Sequence, residues 1–149
     1  MLSFKIIADI FLVGLPNSGK TTLLKQLTGA GVSETEYPFA TKAPQLGTYR
    51  SSFDQLRICE LPAIYLASEE GRGLGTHFLK HLERARLIFF LLDSETEFAQ
   101  DLKSGYDILM NTITHFNAAF ADTPRFLVVN KVDLLEPKAR KNLDLPARE

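Results

Sequence analysis

Cysteine occurs once among the 149 residues, so no internal disulfide can form, and Cys59 in Leu56-Arg57-Ile58-Cys59 reads as a small apolar residue buried in a strand. Charge of one sign is missing too. The 17 Lys and Arg residues nearly balance 18 Asp and Glu, and the net charge of −1 supplies no global pull toward nucleic acid or an anionic membrane. No strong basic patch for direct nucleic-acid contact stands out. No apolar run approaches the 18 or so residues needed to cross a bilayer, so no membrane partner is expected. The opening Met1-Leu2-Ser3-Phe4-Lys5 lacks the charged and apolar regions of a signal peptide, which makes the cytoplasm the expected compartment. Internal repeats and low-complexity tracts are absent as well, which excludes a repeat architecture.

What is present is the composition of an ordinary globular protein, 45% hydrophobic and 23% charged. A chain of this length buries roughly two thirds of its unfolded surface in one domain. Short aliphatic runs alternate with helical patterns along the whole length, the sequence form of an α/β fold with helices on both faces of the sheet. Ile6 to Val13 reads as a central strand and Lys20 to Thr28 as a helix that stops at Gly29 and Gly31. Gly31 to Leu46 has no sustained period and reads as a long loop of the kind that carries function. Gly47 to Ser51 and Gln55 to Leu61 form a hairpin across Ser52-Phe53-Asp54, which places one antiparallel strand at the edge of a mostly parallel sheet. A helix is expected from Thr76 to about Arg84, a fully covered strand over Leu87 to Leu92, and a last strand from Phe126 to Val129. Between these strands, Phe98, Leu102, Tyr106, Leu109, Ile113, Phe116 and Phe120 recur every three or four residues, the pattern of one long amphipathic helix.

Two motifs carry the chemistry. Gly14-Leu15-Pro16-Asn17-Ser18-Gly19-Lys20-Thr21 fits G-x-x-x-x-G-K-[ST], a pattern that arises by chance in a chain this long on the order of once in two hundred. It follows an apolar strand and opens a helix. The backbone N–H groups of Asn17, Ser18, Gly19, Lys20, Thr21 and Thr22 would therefore converge on one anion, with Lys20 bridging the β- and γ-phosphates and Thr21 ligating magnesium. Asn130-Lys131-Val132-Asp133 follows a strand directly, at the end of the sheet where α/β folds bind ligands. A buried Asp133 can accept two hydrogen bonds from the guanine N1–H and exocyclic amine, a donor pair that adenine lacks. Leaving that carboxylate unpaired would cost about 1–3 kcal/mol, so the pocket favours guanine, with Asn130 and Lys131 completing the base-binding set.

Other residues invite rival readings. Leu91-Leu92-Asp93 resembles the strand end from which many ATPases contact magnesium, but Glu60 also ends an apolar strand and lies nearer the phosphate loop. His77 and His81 stand four apart, as metal ligands can. With no Glu between them and no cysteine nearby, a solvated helix face is the better expectation.

On these residues the chain resembles the G domain of the Obg family of GTPases from about Ile6 to Leu135. Beyond the phosphate loop, the resemblance rests on Tyr37-Pro38-Phe39-Ala40-Thr41, on Pro44-Gln45-Leu46-Gly47, and above all on the run from Gly71-Arg72-Gly73-Leu74-Gly75 to Arg84. It implies that Thr41 meets magnesium and the γ-phosphate, so that Lys20 and Thr41 form the catalytic pair and Thr21, Thr41 and Glu60 the metal set. A hydroxyl on a mobile loop can order that loop only when the third phosphate is present. Asn17 resembles the asparagine that some related GTPases use to hold a potassium ion, which makes K+ a candidate cofactor beside Mg2+ and GTP or GDP. The resemblance also implies a role in ribosome assembly through the large ribosomal subunit.

The departures from the family pattern matter for turnover. The family reads Asp-x-Pro-Gly where this chain has Glu60-Leu61-Pro62-Ala63; Glu60 is one methylene longer, and a left-handed Ala63 would cost about 1–2 kcal/mol. Leu66 and Ala67 replace an acidic residue and a glycine; Ile64 occupies the place of a water-orienting glutamine in other GTPases, but an apolar residue there is usual in this family. A slow GTPase is expected, with a nucleotide-binding or interaction module impaired in catalysis as the alternative. After Asp133, residues Leu134 to Glu149 contain no strand, Ser-Ala loop and helix of the kind that complete a G domain. The single expected domain, 1–149, is thus C-terminally incomplete, and its exposed last strand invites self-association or a covering partner.

Overall fold

The computed structural model describes residues 6–29, 33–34, 43–64, 76–95, 97–141 and 143. Six strands form one sheet: β1 (Ile10–Gly14), β2 (Ser33–Glu34), β3 (Gln45–Arg50), β4 (Gln55–Glu60), β5 (Leu87–Asp93) and β6 (Arg125–Asn130), in the order β2-β3-β4-β1-β5-β6. Strands β4, β1, β5 and β6 run parallel, while β3 is antiparallel to both β4 and β2. The expected architecture, an α/β fold of the P-loop type with a mostly parallel sheet, is the one found.

Side chains along β1 alternate between two apolar layers. Phe11 and Val13 join the larger core with Cys59, Ile88, Phe90 and Leu92, covered by helix α2 (Leu102–Phe116) and a 3₁₀ segment, Thr76–Arg84. Ile10 and Leu12 face the other way with Leu24 of helix α1 (Lys20–Thr28) and Ile58. Phe11, Phe78 and Phe90 are among the largest fully buried side chains, and each contributes about 1.5–3 kcal/mol over an exposed position. The α1 layer thins toward β6, where Phe126 packs edge-on to Phe89 yet stays 61% exposed.

Several elements differ from the sequence pattern. The first strand begins at Ile10 rather than Ile6, because the Ile6 N–H is taken by the His81 ring and Asp9 receives the Arg57 N–H on its side chain. The stretch expected as a loop before Leu46 contains β2, paired through Ser33 with Leu46, so β2 rather than β3 forms that edge. The hairpin turn is closed by Ser51, which accepts the Asp54 N–H at 3.0 Å on its hydroxyl and donates its own N–H to the Asp54 carbonyl at 2.8 Å.

The long amphipathic helix is shorter than its period suggests. Asp101 and Ser104 form a reciprocal capping box that starts α2 at Leu102, and extended backbone at Asn117 ends it after Phe116. Phe120 falls in a separate 3₁₀ turn, Ala118–Asp122, and Phe98 precedes the cap; both still pack on the larger core. Periodicity identified the buried face but not the breaks in the backbone. Thr76–Arg84 winds as a 3₁₀ helix, and His81 is fully buried in it, its Nδ1 accepting the Ile6 N–H at 3.1 Å. The solvated face expected for His81 is thus overturned; the side chain of His77 lies outside the described residues.

Candidate nucleotide site

Strand β1 ends at Gly14 beside Leu91, where a Cβ on Gly14 would lie 2.7 Å from both the Leu91 carbonyl and the Ser18 hydroxyl. No larger residue fits that corner. The loop that follows turns through left-handed Asn17 (φ 60°) and Gly19 (φ 92°). Gly19 caps α1 without a side-chain hydrogen bond, and the helix N-terminus behind it is the end that favours an anion.

The loop opens on a cavity of about 520 Å³, lined among others by Lys20, Thr21, Thr22, Gln45, Glu60 and Ala63. Lys20 is buried, and its Nζ donates to the carbonyls of Leu15 at 2.9 Å and Gly14 at 3.2 Å. These contacts hold the ammonium against the loop from which a phosphate would draw it. Across the cavity, the Thr21 hydroxyl donates to Oε1 of Glu60 at 2.8 Å. Glu60 is placed by register, ending β4 opposite Leu12 of β1 and Gln45 of β3.

The segment after β4 is pinned to β1: Leu61 donates its N–H to the Leu12 carbonyl at 3.1 Å and Ile64 to the Gly14 carbonyl at 3.2 Å. Ile64 is fully buried in the larger core, so its side chain belongs to the packing rather than to water orientation. Ala63 lines the cavity without left-handed backbone; among the described residues only Asn17 and Lys131 are non-glycine residues with positive φ. The strain expected at Ala63 is therefore not incurred. Thr41, Leu66, Ala67 and Gly71 to Gly75 lie outside the described residues.

Paired oxygens from Thr21 and Glu60 at the rim of a phosphate-sized cradle suit a hard divalent cation that keeps water and phosphate in its remaining positions. Among the described residues no three His, Cys, Asp or Glu side chains cluster as a closed metal site. Asp93, the rival magnesium contact, is otherwise engaged, because its Oδ2 meets the Lys131 ammonium at 2.6 Å.

The base-reading motif leaves β6 and reaches back to the phosphate loop. Asn130 donates its side-chain amide to the Ser18 carbonyl at 3.0 Å, and its Nδ2 lies 2.2 Å from where a Cβ on Gly19 would stand. Glycine is needed there twice over, for its φ and for this approach. Lys131 is left-handed (φ 58°), and its carbonyl accepts the Ser94 hydroxyl at 3.0 Å. The 3₁₀ turn Val132–Leu134 carries Asp133, and the Arg140 guanidinium of helix α3 (Pro137–Lys141) donates to the Asp133 carbonyl. Asp133 is exposed, whereas a buried carboxylate was expected, and no residue of that turn is buried. Ser94 was missed in the sequence, and Asp93 was read there only as a magnesium rival. A polar pair ending the strand beside β6 was the available signal.

Cys59 neighbours this site in β4 and is fully buried, as its sequence setting implied. Burial, followed by the nearby Glu60 charge, pushes its thiol up to about 12.

The family model for 50S ribosome-binding GTPase matches residues 9–131. GTPase Obg of Flavobacterium johnsoniae is 41% identical over 96% of this chain, which spans 42% of that protein's length. GTPase Obg of Flavobacterium psychrophilum is 39% identical over 97% of this chain and 44% of its own. Among solved structures, Aquifex aeolicus Era Y63A bound to GDP.AlF4- superposes with a TM-score of 0.61 at 26% identity, covering 88% of this chain and 42% of that one. With the phosphate loop and Asn130 motif already in place, these likenesses identify the family: the chain belongs to the 50S ribosome-binding GTPases and carries an Obg-type G domain.

Proposed function

We propose that the chain binds GTP and GDP with magnesium and hydrolyses GTP slowly, as a switch that engages the large ribosomal subunit. The observation that carries this reading is the hydrogen bond from Asn130 to the Ser18 carbonyl, which joins the base-reading loop to the phosphate loop as one pocket. Asn17, Ser18, Gly19, Lys20, Thr21 and Thr22 cradle the phosphates; Asn130, Lys131 and Asp133 hold the base. Thr21 and Glu60 would hold the metal, with Thr41 completing the set when the γ-phosphate is bound. Magnesium, when bound, neutralises charge on the phosphoryl oxygens. Lys20 would leave its loop carbonyls for the phosphate, and the Ile64 N–H holds the segment after β4 on the Gly14 carbonyl of β1.

Asn17, which lines the cavity with left-handed backbone, would add a potassium ligand. The printed description of the matching family and the names of the relatives support the ribosomal partner. A cytoplasmic location agrees with the lack of any helix, among the described residues, long and apolar enough to cross a membrane. We place the whole of 1–149 in this one domain, with the exposed β6 edge as the surface for whatever covers it.

Turnover is set low because Glu60, one methylene longer than the family's aspartate, would crowd the water it should hold, and a rate near the slow intrinsic scale of about 10⁻⁴ per second is expected. The departures at Glu60 and Leu66 favour the second reading, a nucleotide-binding module without turnover. Release of radiolabelled phosphate from GTP decides between them: magnesium-dependent release that disappears in Lys20→Ala supports the slow GTPase, and no release from a chain that binds GTP supports the module.

A further inference from the structure

Asp93 ends β5 with its side chain only 3% exposed, and neither the phosphate cradle nor the Thr21–Glu60 pair uses it. Both of its oxygens are engaged. Oδ2 meets the Lys131 ammonium at 2.6 Å, and Oδ1 accepts the Glu95 N–H at 2.9 Å, which fixes the carboxylate in orientation. Ser94 acts on the same loop through its hydroxyl, which donates to the Lys131 carbonyl at 3.0 Å, and its N–H, which donates to the Asn130 carbonyl at 3.2 Å. Lys131 is thus gripped at its side chain and its backbone while it holds a left-handed conformation that a Cβ-bearing residue resists. Since the turn at Lys131 sets the direction in which Val132–Leu134 leaves β6, it also sets where Asp133 stands.

We infer that Asp93, with Ser94, is a positioning residue for base recognition: it locks Lys131 left-handed and thereby aims Asp133 at guanine, without taking part in phosphate binding. The inference rests on the guanine-nucleotide reading proposed above. The phosphate side has its own anchor, Asn130 on Ser18, so the two halves of the pocket can be perturbed separately. Asparagine at 93 keeps the shape of the side chain and removes the charge that makes the contact to Lys131 short. A merely structural role would weaken every nucleotide alike. A positioning role weakens only what depends on the base.

The test measures GDP and ADP affinities by competition against a fluorescent GDP analogue, for the full chain and for Asp93→Asn and Ser94→Ala. Asp93→Asn should weaken GDP about tenfold and ADP by less than about twofold. Ser94→Ala should shift the ratio the same way by about threefold. Equal weakening of GDP and ADP, or an unchanged ratio, overturns the inference. If Asp93→Asn does not fold, Ser94→Ala decides alone. A wild-type chain that does not prefer GDP over ADP refutes the guanine reading itself, whereas a preferring wild type with unshifted variants refutes only the positioning role.

Discussion

The Thr21 hydroxyl donates to Glu60 Oε1 at 2.8 Å, so two oxygens from distant parts of the chain meet across the phosphate cradle. A hydrogen bond to a charged group contributes about 1.5–3 kcal/mol, enough to hold Thr21 in a ligating rotamer. Glu60→Gln removes the charge and keeps the length. It should weaken GDP binding about tenfold with magnesium present and by less than about twofold in EDTA. Isothermal titration under both conditions checks this, and an equal loss in EDTA would assign Glu60 a purely structural role.

Gly19 is the tightest point of the site. Alanine there must hold a φ of 92° and displace Asn130, whose Nδ2 lies 2.2 Å from the new Cβ position. We expect Gly19→Ala to cost roughly 2–3 kcal/mol, from left-handed strain plus the lost Asn130 hydrogen bond. Urea unfolding measures it. Asn130→Ala should relieve the clash, so the double variant should lose less than the sum of the two single losses.

Cys59 links stability to alkaline pH. Its thiol rises from an unfolded value of 9.0 to about 12, so the folded chain keeps the proton that the unfolded chain gives up. This contribution is fully present below the unfolded value and is lost as pH rises toward the folded one. Unfolding free energy should fall above pH 9 at a slope approaching about 1.4 kcal/mol per pH unit from this group. Cys59→Ala should flatten that slope, and an unchanged slope would contradict the burial described here.

Ala63 lines the cavity with ordinary backbone, so glycine gains nothing there. Ala63→Gly should destabilise the fold by about 0.4–1 kcal/mol through the freer unfolded chain. A stabilised variant in thermal melts would restore the left-handed conformation expected from the sequence pattern.

The sequence made the helix at Lys20 and the presence of the parallel strands legible, because apolar runs and loop glycines report local geometry that tertiary packing does not override. It left β2 hidden, since two residues carry no period and gain their strand only by pairing with Leu46 and Gln45. The break at Asn117 escaped because Phe116 and Phe120 stack on each other whether or not the helix is continuous. His81 looked solvated because its partner, the Ile6 N–H, lies 75 residues away in the chain. The phosphate cradle was readable as a contiguous motif. The Asp93 and Ser94 grip on Lys131 was not, because it depends on the register that sets Asp93 beside Asn130.

A fluorescent GDP analogue titrated into the full chain and displaced by GTP, GDP or ATP tests the central claim most directly. GTP and GDP should displace it at least about tenfold more effectively than ATP, within the range of about 1–3 kcal/mol for a carboxylate left unpaired by the wrong base, and Lys20→Ala should abolish binding. Equal displacement by ATP, or no binding by the folded chain, would contradict the account.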